Sequence, residues 1–266
     1  MCVIICGLSA SLPSRSEFES ACRYNSDGFG FALLTKSGQI ITEKGMDSLS
    51  VLDTFEGVVQ RHGVDVEAWV FHARITTHGA TCVDNCHPFP VSGDQSTYIA
   101  HNGILPVNMP KGFTGSDSAY FAEVLFPAWG GVEALNLSET WAMLENWCGN
   151  SKLAILSANP SAPLPLVILN EELGTWEGEH WYSNTYHRAI TLRAYGWESY
   201  AWSGAGGRDS YSFGNTDEDF DACLYCSAVV DLAEEMCSFC WSCFGCGFEV
   251  QACHCVAVGF DELVEF

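Results

Sequence analysis

A cysteine directly behind the initiator methionine, followed by three β-branched residues, sets the strongest condition on this chain: Met1-Cys2-Val3-Ile4-Ile5-Cys6-Gly7. Valine and isoleucine lose rotamer freedom in a helix and pack well on a pleated surface. The run therefore predicts a buried strand over Cys2–Leu8, with the cysteine at its head. Cysteine is small enough for methionine removal to be expected in a cell, which leaves Cys2 as a free N-terminus. Such a residue carries a thiol nucleophile and an α-amine, which titrate near ~8.5 and ~8 when unperturbed. The amine can then act as the base at neutral pH without a distant histidine. The plainer alternative is a hydrophobic first strand that happens to contain a cysteine.

Size and composition narrow the setting. With 266 residues, 48% of them hydrophobic and 13% aromatic, the chain can bury a large core and is not of the disordered class. No apolar run is long enough to span a bilayer, and the N-terminus lacks the basic and cleavage features of a secretory signal, so a soluble, cytoplasmic protein is expected. The net charge of −22, from 33 acidic against 11 basic residues, argues against nucleic acid as the main ligand. Six of the fourteen cysteines (Cys2, Cys6, Cys22, Cys82, Cys86, Cys148) are scattered, whereas eight crowd between Cys223 and Cys255.

Strands are expected at Gly28–Leu34, Gln39–Glu43, Ala68–Ala73, Thr97–Asn102, Leu153–Ser157, Leu166–Leu169 and His180–Ser183. Helices are expected at Arg15–Cys22, Ser48–His62, Ser116–Phe126 and Ser138–Trp147, with Ser138 as a candidate cap. The turn clusters Asn25-Ser26-Asp27-Gly28 and Lys36-Ser37-Gly38 flank one strand as in a hairpin. Many strands with helices grouped between them suggest two packed sheets flanked by helices. Glycines, serines and the run Asp217-Glu218-Asp219 mark an acidic linker over 203–221, separating a domain of residues 1–202 from a Cys-rich module at 222–266.

Three further stretches read as parts of one site. His72-Ala73-Arg74-Ile75-Thr76-Thr77-His78-Gly79, continuing to Asn85-Cys86-His87-Pro88, puts Arg74 at the end of a buried strand. A guanidinium there is costly without an anion, and its fork suits a substrate carboxylate; a structural salt bridge is the alternative. His101-Asn102-Gly103 reads as a tight turn, yet an Asn amide beside an unhindered Gly N–H also supplies two donors for an oxyanion. Ser116-Asp117-Ser118 reads as a helix cap, or as a carboxylate free to meet a substrate ammonium.

In this order, Cys2, Asn25-Ser26-Asp27-Gly28, His72-Ala73-Arg74, Thr77-His78-Gly79, Asn85-Cys86-His87-Pro88, His101-Asn102-Gly103 and Ser116-Asp117-Ser118 resemble the class II glutamine amidotransferase domain of the N-terminal nucleophile hydrolases, across roughly residues 2–200. Trp181-Tyr182-Ser183-Asn184 is similar to a late strand and turn of that domain. The resemblance implies an α+β fold, a four-layer αββα sandwich, and hydrolysis of the glutamine side-chain amide. It implies Cys2 as nucleophile, its amine as base, and Asn102 with Gly103 as the oxyanion hole. Arg74 would hold the α-carboxylate and Asp117 the α-ammonium, with Thr76, Thr77, Gly79 and His87 shaping the pocket. Ile75 and Ala119 depart from the family pattern, which carries an aromatic and an acidic residue there. Relatives usually add a large synthase domain, which the residues after the linker are too few to form. A separate ammonia-accepting synthase chain is therefore the expected partner. A free-standing hydrolase of another γ-glutamyl compound and a fold kept without turnover are the alternatives.

The tail offers Cys223, Cys226, Cys237, Cys240, Cys243, Cys246, Cys253 and Cys255, largely in Cys-x2-Cys spacing. That spacing favours zinc over an iron–sulfur cluster, and metal would supply the stability that so small a module lacks.

Overall fold

The computed structural model describes residues 2–92 and 94–188, with the backbone of 220–222 and 229–231. The chain divides into two compact units, Met1–Arg188 and Ala189–Phe266. In the second, β11 (Phe220–Ala222) and β12 (Val229–Asp231) form an antiparallel pair. The eight tail cysteines from Cys223 to Cys255, and the expected boundary at 202, lie outside the described residues.

The first unit runs β1 (Val3–Gly7), α1 (Arg15–Tyr24), β2 (Phe29–Thr35), β3 (Ile40–Gly45), α2 (Ser48–His62), β4 (Val66–Ala73), β5 (Phe89–Val91) and β6 (Asp94–Asn102). It continues with α3 (Asp117–Tyr120), α4 (Phe126–Ala128), α5 (Gly131–Ala134), α6 (Ser138–Cys148), β7 (Lys152–Ser157), β8 (Leu166–Leu169), β9 (Thr175–Glu177) and β10 (His180–Tyr182). The strands form two antiparallel sheets, ordered β3-β2-β4-β1-β10-β9 and β5-β6-β7-β8. Among the described residues, no helix is long and apolar enough to cross a membrane.

Strand periodicity sorts the core into three parts. Ile4 and Cys6 of β1, Ala32 and Leu34 of β2, and Ala68 and Val70 of β4 pack with Tyr98 and Ala100 of β6, Ala154 and Leu156 of β7, and Leu166 and Ile168 of β8. The two sheets thus share one apolar layer. The alternate residues of the six-stranded sheet, Phe31, Trp69 and Phe71, meet Phe18 of α1 and Phe55 of α2 in an aromatic cluster. The alternate residues of the four-stranded sheet, Ile99, Leu153, Ile155, Val167 and Leu169, pack with Phe121, Phe126 and Leu144. Strands such as Phe29–Thr35 are buried on both faces, so they read as continuous apolar runs rather than alternating ones. Each fully buried Val, Leu, Ile or Phe side chain contributes ~1.5–3 kcal/mol relative to exposure.

Local chemistry sets the ends. Ser14 and Glu17 form a reciprocal capping box on α1, and Asp47 accepts the Ser50 N–H at 2.9 Å at the start of α2. The expected hairpin forms between β2 and β3, with Gly38 at φ +82° in its turn. Two expectations are corrected. Ser138 is the first helical residue rather than the cap, because extended Leu137 precedes it and the Ser138 hydroxyl turns to Glu139. The helix expected over 116–126 is α3, a π turn at Phe121–Leu125 and then α4, because the ladder widens as Phe121 enters the core. The short edge strands β5 and β9 carry too few residues to show a period.

Candidate active site

One end of the shared layer gathers the predicted residues. Continuing the alternation of Ile4 and Cys6, Cys2 lies on the inter-sheet side at the head of β1. Continuing Ala68 and Val70, His72 and then Arg74 lie on the same side of the neighbouring strand, since Val3 pairs with Ala73. Asn102 ends β6 on the side of Tyr98 and Ala100. Strand parity therefore turns the Cys2 thiol, the Arg74 cation and the Asn102 amide toward the inter-sheet side.

Cys2 is buried, and its Sγ contacts the Ile75 carbonyl at 3.4 Å. Burial pushes the thiol's pKa up; a backbone hydrogen bond with Ile75 and the Arg74 charge act downward, and the Asp117 charge adds to the rise. A thiol held protonated at neutral pH needs a base before it can attack.

Arg74 is buried and, among the described residues, ion-pairs with no carboxylate. Its guanidinium donates to His78 O at 2.9 Å and Ala80 O at 3.2 Å, folding the 75–80 loop around itself. The structural salt bridge weighed for Arg74 is absent from this set, and donors remain for a ligand carboxylate. The loop is pinned at its base by Asp27, whose carboxylate accepts the Thr76 N–H at 2.7 Å while its own N–H donates to Arg74 O at 2.8 Å. Thr76 Oγ1 lies 2.9 Å from Thr81 Oγ1, and Thr77 and Gly79 are exposed on the loop. Gly79 has φ +75°, and a Cβ there would stand 3.0 Å from the Asn85 amide.

Asp117 is buried but not free. Its carboxylate accepts the Leu105 N–H at 2.8 Å and the Ser118 N–H at 2.9 Å, which locks the 103–105 turn onto α3. Oδ1 also meets the Ser118 hydroxyl at 3.4 Å, whereas Oδ2 keeps a further lone pair. Ser116 is the cap of α3, accepting the Ala119 N–H at 3.2 Å. Gly103, at φ +141°, lies against Ser151, which leaves no room for a side chain.

Three imidazoles lie behind these groups. The His72 and His87 rings are 4.0 Å apart, His72 Nε2 is 2.9 Å from His101 O, and His101 Nδ1 is 2.8 Å from Ser118 Oγ. Burial keeps all three neutral: the pKa falls to about 3 for His72, to about 4 for His101, and well below the usual range for His87. His87 therefore packs as a neutral ring between His72 and Phe89.

Two residues beyond the predicted set also hold the site. Ser183 bonds both Ile4 and Asn102, and Asn184 donates to Cys2 O at 2.7 Å. Their signal was thin, a Ser-Asn pair after a short strand, because their partners are far away in sequence.

A cleft of about 790 Å³ borders the same loops, lined by Lys44, Cys82, Asp84, Phe89, Phe113 and Glu123. Lys44 stands 4.5 Å over the Phe89 ring, and burial lowers its amine to about 8. Among the described residues, Glu17, Glu177 and His187 could converge on a metal ion. Their carboxylates are already engaged, Glu17 by Ser14 and Tyr182 and Glu177 by Arg188 and His187.

No family model matches the sequence, and no curated protein matches it. Solved structures do match. A glutamine phosphoribosylpyrophosphate amidotransferase from B. subtilis, complexed with ADP and GMP, is 15% identical with a TM-score of 0.42. An allosteric regulatory enzyme of purine biosynthesis is 12% identical with a TM-score of 0.43. In both pairs the match covers 68% of this chain and 41% of the other. A glutamine aminotransferase class-II domain protein from Silicibacter pomeroyi is 14% identical with a TM-score of 0.33, covering 68% of this chain and 87% of that one. Over 68% of its length this chain is thus similar in structure to an amidotransferase, a regulatory enzyme of purine biosynthesis and a class-II glutamine aminotransferase domain protein.

Proposed function

We propose that residues 2–188 form a class II glutamine amidotransferase domain, a four-layer αββα sandwich that hydrolyses the glutamine side-chain amide and passes ammonia to a separate acceptor chain in the cytoplasm. The observation that carries this reading is the buried Cys2 thiol at the head of β1, on the same inter-sheet side as Arg74 beyond the paired strand and Asn102 at the end of β6. The shared inter-sheet layer and the helices on each outer face support the sandwich.

In this reading, removal of Met1 frees the Cys2 amine. The amine takes the thiol proton as Sγ attacks the amide carbon, and it returns that proton to the leaving nitrogen. Charge on the carbonyl oxygen is met by the Asn102 amide and the Gly103 N–H. Ammonia leaves a thioester, and water then releases glutamate and restores the thiol. Arg74 holds the α-carboxylate and Asp117 the α-ammonium through the donors and lone pairs their backbone contacts leave unused. Thr76, Thr77, Gly79 and His87 build the pocket wall. The tail cysteines are assigned zinc by their spacing alone, and metal analysis of the purified chain tests that assignment.

The test is intact mass before and after a glutamine-mimicking electrophile, with glutamate release followed in parallel. A chain lacking Met1, labelled once at Cys2 and releasing glutamate, is the expected result. Retained Met1 with neither label nor glutamate overturns the reading. Labelling without turnover of glutamine redirects it to another γ-glutamyl compound.

A further inference from the structure

Ser183 lies fully buried just beyond β10 and holds two groups from different sheets. Its N–H donates to Ile4 O at 3.0 Å, and its Oγ accepts the Ile4 N–H at 2.8 Å. One residue thus continues the β1–β10 ladder with its hydroxyl in the place of a carbonyl. The same Oγ lies 2.9 Å from the Asn102 amide nitrogen.

A hydroxyl has one proton and two lone pairs. Ile4 takes one lone pair. If the Asn102 Nδ2 donates to the other, the hydroxyl proton has no acceptor among the described residues, and the buried Asn102 Oδ1 has no partner. Half a turn of the amide about its last side-chain bond removes both defects. Ser183 Oγ–H then donates to Oδ1, and the two Nδ2 hydrogens face the opposite side, where no described protein group bonds the amide. That orientation can stabilise an oxyanion, whereas an oxygen in the same place repels one.

We propose that Ser183 is a positioning residue that selects the donor-outward orientation of the Asn102 amide. This rests on the glutaminase reading given above. It assigns Ser183 no contact with substrate.

The experiment is a double-mutant cycle on glutamate release, using Ser183→Ala, Asn102→Ala and the double variant, with Ser183→Thr as the conservative control. Loss of one oxyanion donor costs about two to three orders of magnitude. Ser183→Ala is expected to lower kcat by about tenfold to a hundredfold with KM little changed, and Ser183→Thr to restore most of it. On the Asn102→Ala background, Ser183→Ala is expected to cost nothing further. Alkylation of Cys2 by iodoacetamide is expected at the wild-type rate throughout. Should Ser183→Ala not fold, near-isosteric Ser183→Cys, a weak donor, is expected to show the same kcat loss.

Full kcat in the Ser183→Ala or Ser183→Cys variant, or losses that multiply independently of Asn102, overturns the assignment while leaving the glutaminase reading in place. A wild-type chain that releases no glutamate overturns both.

Discussion

The Asn184 side-chain amide donates to the Cys2 carbonyl at 2.7 Å, joining residues 182 positions apart. Its other end accepts the Tyr186 N–H at 3.1 Å, so the amide is fixed at both ends, and the Asn184 carbonyl lies 3.0 Å from His187 Nδ1. Nothing in the first strand can hold its own leading residue, because β1 reaches its partner strand only from Val3 onward. Asn184 does so from the far end of the domain.

Asn184→Ala leaves the buried Cys2 carbonyl without its donor. The expected cost is ~1–3 kcal/mol of stability together with lower turnover. Thermal melts and glutamate release on the same preparations check it. An unchanged melting temperature would remove Asn184 from the support of the site.

Cys2→Ala is expected to abolish glutamate release and electrophile labelling while the melting temperature stays close to wild type. The substitution removes one sulfur at the edge of the core and creates no large cavity. Residual turnover at the wild-type level would show that another group attacks the substrate.

The buried histidines make stability depend on pH. Their folded-state pKa values lie below the unfolded value of ~6.5, so the folded chain refuses protons that the unfolded chain takes up. Stability is full above ~6.5 and falls as pH drops toward about 4 for His101 and about 3 for His72. The slope is ~1.4 kcal/mol per pH unit for each histidine inside its window. Melts between pH 8 and 5 should be flat at first and then fall, and imidazole nitrogen shifts at pH 5 should report neutral rings. Protonated rings in the folded protein at pH 5 would contradict this.

Gly103→Ala meets Ser151 and must adopt φ +141°, which L side chains rarely do. Loss of turnover is expected together with a destabilisation of ~1–3 kcal/mol, the range for backbone held in sparsely populated regions. Normal melting and activity would show that the turn can move away from Ser151.

Arg74→Lys keeps the charge but loses the fork that spans His78 O and Ala80 O. Faster proteolysis within 75–85 is expected, with KM for glutamine raised by about tenfold or more, on the scale of one lost charge-assisted contact. Unchanged cleavage would mean that the loop is held by Asp27 alone.

What the sequence determined by itself were the features with local causes. Val3-Ile4-Ile5 read as a buried strand, Lys36-Ser37-Gly38 was a turn by its chemistry, and the apolar runs that became β1, β4 and β6 were legible as strands, each with two faces. The tertiary structure decided which of those faces meet. It also turned two expected ligand groups partly inward: Asp117 onto Leu105 and Ser118, and Arg74 onto its own loop. A buried charge must satisfy its hydrogen-bonding groups wherever the fold brings partners, and a sequence does not show which carbonyl or N–H will be near. Ser183 and Asn184 stood in a recognisable strand and turn, but what they hold was hidden for the same reason. Their partners Ile4, Asn102 and Cys2 lie between 81 and 182 positions away, a separation that only the packing of β1, β6 and β10 closes.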